Sequence, residues 1–406
     1  MSPHPPPLPV GASVSAHPGL TATLSIAWIT FLICGAVSFF GEIFHLVFGR
    51  EELAIVAGLG VLAMLLTGLV LFGLMALIPR IPKRFFLPIS LYLPVTATAI
   101  LPLFVYFIEH ASLILSGLFL GQVVLGLLCL HRWHEGLRVN WPLFPARRLV
   151  EKNFSWSNLV GVGALGLFLI LPALALYSAF SAKLTVEHLS AGFVGLRPSG
   201  ISMQVRSYLR SDGKKIMLMP MSHVADAAFY EALGAAMPES SVVLMEGVTD
   251  TAQAAKRPGV TNPRRSSSSH SGYSRAASLI GGVEQRDFFK PRGTIVAADL
   301  DMRDFSPPTL GVLKSVTLIN EKGLTRETLP LVLKPMPPSW DKHLLDDLIT
   351  KRNRHLLGVI GQHLPTSDMI VVPWGAAHMP EIHREILKLG FQVVETKDYT
   401  AIRFRF

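Results

Sequence analysis

The stretch MIVVPWGAAHMPEIHREILKLG, residues 369–390, reads as a strand, a small-residue turn and a helix in direct succession. A short apolar run enters the turn Gly375-Ala376-Ala377-His378. Helical spacing follows and stops at Gly390. A strand this uniformly apolar belongs to a sheet covered on both faces. The segment therefore predicts an α/β domain, and it places His378 where a strand hands over to a helix.

The same grammar recurs upstream. After a mixed lead-in over 182–212, KIMLMPMSH is an apolar strand ending in a polar turn. VADAAFYEALGAAM follows with helical spacing, and its expected buried stripe is Val224, Ala228, Ala232 and Ala235. SVVLMEGV and GTIVAADLDM read as two further strands. FQVVE and AIRFRF read as a closing strand pair. Alternating strands and helices give an α/β sheet covered on its faces. Between SVVLMEGV and GTIVAADLDM lies a Ser-, Gly-, Pro- and Arg-rich stretch. It holds too little apolar surface to order itself, so residues 252–292 read as a mobile insertion. Its basic residues suit solvent or anionic lipid head groups rather than nucleic acid.

The first half of the chain follows other rules. The whole is 50% hydrophobic with a net charge of +9, and its mean hydropathy is +0.43. Residues 1–181 carry nine Lys+Arg and six Asp+Glu, leaving 28 and 22 for residues 182–406. Five apolar segments reach the roughly 20 residues a bilayer requires: 24–48, 53–78, 85–108, 111–130 and 159–181. Glu109 and His110 alone separate the third from the fourth, which predicts a tight hairpin. Residues 1–23, Pro-rich at the start, read as a disordered N-terminus. The expected domains are thus a transmembrane unit over 24–181 and a water-facing one over 182–406.

Loop charge orients the spans. Arg80, Lys83 and Arg84 lie in one loop. Arg132, Arg138, Arg147, Arg148 and Lys152 lie in another. The positive-inside rule assigns both to the cytoplasm, which puts the N-terminus inside and residues 182–406 outside. Both cysteines, Cys34 and Cys129, fall within spans. The outer domain accordingly has no disulfide, thiolate chemistry or Cys-ligated zinc.

The candidate site gathers at strand ends, where α/β sheets bind ligands. His223 follows the first strand, Glu246 ends the second, Asp299 and Asp301 end the third, and His378 follows the fourth. A long helix over 340–363, with Ser339 as N-cap, adds Arg352 and Asn353. At about 100° per residue both fall in or beside the stripe of Leu345, Leu348, Leu356, Val359 and Ile360, whereas Lys351 and Arg354 point away. A buried guanidinium needs a carboxylate, from Asp299, Asp301 or a substrate. His223, Glu246 and His378 are the residue types of an open two-His, one-carboxylate metal site.

These residues, in the order PMSH, VVLMEG, ADLDM, RN and VVPWGAAHMPEIHREILKLGFQVVE, resemble the TIKI/TraB/PrgY/GumN family over about 214–398. The resemblance implies a metal-dependent, protease-like α/β domain with two Gly-x-x-His motifs, the second being Gly375 to His378. It implies a divalent ion (manganese, cobalt or zinc) on His223, Glu246 and His378. Glu246 would be ligand or general base, with Arg352 and Asn353 holding a peptide carbonyl or carboxylate. Two departures stand out. Pro220 replaces the glycine of the first motif, and Leu300 replaces the arginine that some members carry between the acids.

Three functions are consistent with this reading. The first is a membrane-anchored metal-dependent hydrolase, a peptidase acting on a peptide or protein outside the cytoplasm of a bacterial cell, from the inner membrane. The second is an extracytoplasmic module that sequesters a peptide or glycan without turnover. The third is a polytopic assembly or sensor protein whose spans do the work. The lipid bilayer is the one partner common to all three.

Overall fold

The computed structural model describes residues 18–48, 54–134, 141–144, 154–247, 277–278, 280–323, 325–328 and 340–405. The chain divides into two compact units, Met1–Thr185 and Val186–Phe406.

The first unit holds five helices long and apolar enough to cross a membrane. They are Pro18–Phe48, Ala54–Leu77, Lys83–Tyr106 and Ala111–His134, and then Trp156–Leu189. The expected hairpin between the third and fourth is a 3₁₀ turn, Ile108–His110. The first helix begins six residues before the expected span, and the last runs eight beyond it. Trp28, Phe86, Trp133 and Phe144 fill the inside of this unit with tilted and edge-on ring contacts. Pro94 lacks the N–H that would bond the carbonyl of Ser90. That oxygen faces Gly68 of the second helix, where a Cβ would lie only 2.8 Å away. A glycine is what allows the two helices to approach there.

The second unit is a seven-stranded mixed sheet. Its strands are β1 Val194–Arg197, β2 Gly200–Leu209, β3 Lys215–Met221, β5 Val242–Met245, β7 Thr294–Ala297, β8 Met369–Gly375 and β9 Gln392–Arg403. A separate short pair joins β4 Val224–Ala225 to β6 Val283–Glu284. In the main sheet β3, β8, β5 and β7 run parallel in that spatial order. β2 lies antiparallel to β3, and β9 covers the other edge of β2. Side chains alternate as the pleat requires. Ile370, Val372 and Trp374 pack with Leu356, Ile360, Ile382 and Ile386 of the helices Lys351–His363 and Met379–Lys388. Val371 and Met219 face the opposite way, against Phe229, Tyr230 and Leu233 of the helix Ala227–Ala236.

Several expectations are corrected. The mixed lead-in contains β1 and β2, which form an antiparallel pair. The closing strand pair is one twelve-residue strand, β9, which keeps step with β2 through two register shifts. The helix Ala227–Ala236 buries Phe229, Tyr230, Leu233 and Gly234, while Ala228 and Ala235 are exposed. The aromatic rings bury far more apolar area than alanines and set the helix face. The first part of the expected insertion lies outside the described residues. Its last part is ordered: β6 pairs with β4, and Phe289 is buried in the core.

Within the helical region over 340–363, a π turn at Asp346–Thr350 separates Trp340–Leu345 from Lys351–His363. Its i→i+5 bonding takes in an extra residue and shifts the buried stripe. Leu345, expected inside, is 63% exposed, and Asp347 is fully buried. Ser339 lies outside the described residues.

Candidate functional site

The chain leaving β5 goes on to β7, whereas the chain leaving its neighbour β8 goes to β9 at the far side of the sheet. Connections that diverge from adjacent parallel strands open a crevice at their carboxyl ends, the usual ligand position in such sheets.

One proline ends the pairing of β8 with β5 here. The N–H of Ala376 donates to Met221 O of β3 at 3.1 Å. Alternation then turns Pro373 and Gly375 toward β5. Pro373 has no N–H to give, and β5 and β8 pair only at Val242–Ile370 and Val243–Val371. The carbonyl of Leu244 is met instead by the indole N–H of Trp374 at 3.0 Å. Past this point the Gly375 N–H donates to Glu246 Oε2 at 2.5 Å. A Cβ on Gly375 would sit 3.3 Å from that same oxygen, so a residue with no side chain lets the carboxylate approach.

Arg352 lies at the centre. Its Nε donates to Asp299 Oδ1 at 2.9 Å, and its Nη2 donates to Asp299 Oδ2 and to Glu246 Oε1, both at 2.7 Å. Nη1 reaches Leu348 O and His378 Nε2, each at 3.3 Å. The guanidinium stands 5.4 Å over the Trp374 ring. Burial alone would lower the pKa of Arg352, but hydrogen bonds and charge from Asp299, with Glu246, outweigh it and raise the value. Asp299 is held further by the N–H groups of Gly247 and Leu300, at 2.9 and 2.8 Å.

His378 is 3% exposed, with its ring edge-on to Trp374 at 5.1 Å. Its Nδ1 lies 2.7 Å from Asn353 Oδ1, and Asn353 Nδ2 donates to Glu381 Oε2 at 2.6 Å. The proton positions follow from this network. A carboxylate only accepts, so the amide turns its NH₂ to Glu381 and its oxygen to His378. Nδ1 therefore carries the hydrogen, and Nε2 keeps a lone pair. Burial lowers the pKa of His378, and Arg352 adds to that, against the opposing charge of Glu246. The imidazole is thus held neutral.

The structure thus joins Glu246, Asp299, Arg352, Asn353, Gly375 and His378, all of them sequence candidates. Two other candidates have contacts of their own. Asp301 serves its own chain locally: it accepts from Arg303 N and caps the short helix Met302–Asp304 in a reciprocal capping box with Asp304. His223 is exposed, and its carbonyl accepts from Gln285 N at 2.9 Å. After the first motif the chain enters β4, whereas after the second it enters a helix. Glu381 was missed. Its signal was the spacing His378-x-x-Glu381, which puts the acid on the first turn of the helix entered at His378.

Nε2 of His378 and Oε1 of Glu246 lie 3.6 Å apart, a spacing that suits two ligands on one ion. Arg352 bridges both atoms, however, and its charge opposes a cation there. Among the described residues no three His, Cys, Asp or Glu side chains gather so as to hold a metal. Comparison with protein-family models, curated proteins and solved structures finds no match to this chain.

Proposed function

We propose that this protein is a membrane-anchored hydrolase whose α/β unit cleaves a peptide or protein, with His378 as general base. The observation that carries this reading is the directed chain from Glu381 through Asn353 to Nδ1–H of His378, which leaves a neutral Nε2 in a polar crevice. A base oriented by a second group and held neutral can take a proton from water. The water oxygen then bonds to the carbonyl carbon. Glu246 Oε1, 3.6 Å from Nε2, stabilises the imidazolium as it forms, and that proton passes to the leaving amine. Nη1 of Arg352 is the guanidinium nitrogen least committed to carboxylates and faces the developing oxyanion. Water has to displace the 3.3 Å Arg352–His378 contact, among the longest in the network.

The resemblance to the TIKI/TraB/PrgY/GumN family supports the choice of peptide. The basic loops support an α/β unit outside the cytoplasm, and a bacterial inner membrane is proposed with it. A second reading, metal-dependent hydrolysis, draws on the ligand-like spacing of His378 and Glu246. One experiment separates the two: the full chain in lipid nanodiscs is incubated with a mixed peptide library, with and without chelator, and read by mass spectrometry. Cleavage that survives the chelator is expected. Loss that zinc, manganese or cobalt restores selects the second reading. No cleavage in any condition leaves the sequestering module.

A further inference from the structure

We infer that Glu381 is a positioning residue that fixes the proton of His378 on Nδ1, acting through Asn353. The functional meaning of this assignment rests on the hydrolase reading; the assignment itself rests on geometry.

His378 is the N-cap of the helix Met379–Lys388, and Glu381 is its third residue. An acid at that position ordinarily reaches back to the N-cap N–H. Here that N–H already donates to Gly375 O at 2.9 Å. Glu381 turns instead to Asn353 on the neighbouring helix, at 2.6 Å. Asn353 is fully buried and His378 nearly so, so bulk water does not compete for the bond between them, whereas Glu381 is half-buried. If the Asn353 amide were reversed, its oxygen would face a carboxylate at that distance and its NH₂ would face Nδ1. Two acceptors at that distance repel, so Glu381 keeps the amide as it is. At the other side of the ring, Arg352 donates toward Nε2. The tautomer is held from both ends, and the Glu381 end is the one a neutral isostere releases.

The test is ¹⁵N NMR of the full chain in lipid nanodiscs, labelled at the histidine rings. The His378 signals are identified among the 14 histidines by their loss in His378→Gln. The wild type is expected to show Nδ1 protonated and Nε2 unprotonated. Glu381→Gln allows the Asn353 amide to reverse, and the Nε2 signal is expected to move toward its protonated position. The double variant Glu381→Gln/Asn353→Asp exchanges amide and carboxylate. An acceptor again faces Nδ1, and the wild-type pattern is expected to return. A merely structural role for Glu381 would not produce that return. A wild type protonated on Nε2, a Glu381→Gln spectrum equal to wild type, or a double variant that fails to restore the pattern would overturn the inference. Digestion of the peptide library by the same samples reports on the hydrolase reading separately. No cleavage with the expected tautomers sinks that reading and leaves Glu381 in place.

Discussion

Arg352 places a full charge where only a tenth of its side chain meets solvent, and two carboxylates make that tolerable. Removing it leaves Asp299, whose side chain is fully buried, and Glu246 without a cation. Arg352→Ala is expected to cost about 3–5 kcal/mol, the range for stripping one partner from a buried ion pair. Arg352→Lys keeps the charge but cannot serve Asp299 twice and Glu246 at once, and about 2 kcal/mol should go with the lost geometry. Chemical denaturation checks both. A lysine variant as unstable as the alanine one would mean that the fork geometry contributes nothing. His378 adds a pH dependence. Burial lowers its pKa below 6.5, so between that lowered value and 6.5 the unfolded chain binds a proton that the folded chain refuses. Stability therefore rises with pH across this window and is lost as pH falls through it. His383, also lowered by burial, contributes in the same sense. Thermal unfolding of His378→Gln should show a shallower loss below pH 6.5 than wild type, and equal slopes would contradict the assignment.

At the scale of elements, the end of β8 decides the site. Trp374 is fully buried, and its indole N–H satisfies the Leu244 carbonyl that Pro373 leaves without a ladder partner. Trp374→Phe keeps a ring but strands that oxygen, at an expected cost of about 1–3 kcal/mol measured by denaturation, with the sheet retained. A neutral result would show that the carbonyl finds another donor. Much of this region is legible in the sequence. The run 369–390 announces its strand, turn and helix by apolar spacing. The amphipathic phase of the later helix points Arg352 and Asn353 inward, and both are buried. What the sequence hides is whatever breaks a period. The π turn at Asp346–Thr350 carries Leu345 out and Asp347 in. Lys351, expected to point away, pairs with that buried acid at 2.5 Å. The polar run TKDYT separates FQVVE from AIRFRF in the sequence, yet ten paired residues along β2 carry the chain through as one strand. His223 and His378 share a motif shape in the sequence, but His223 leads into β4, which pairs with β6, whereas His378 opens a helix.

The whole molecule combines five helices long and apolar enough to cross a membrane with a separately cored α/β unit. The loop charges predict a cytoplasmic N-terminus. A reporter active only in the cytoplasm should be silent when fused after Phe406 and active when fused near Arg147, and the opposite pattern would invert the proposed topology. The central claim is that the neutral His378 in the Arg352 network performs hydrolysis. Its most direct test compares the full wild-type chain with His378→Gln on the same peptide library in nanodiscs, with chelator present and with thermal unfolding recorded to show that both are folded. The account predicts cleavage by wild type and a loss of at least about a hundredfold in the variant, the scale of a missing general base. Cleavage by His378→Gln at the wild-type rate would contradict it.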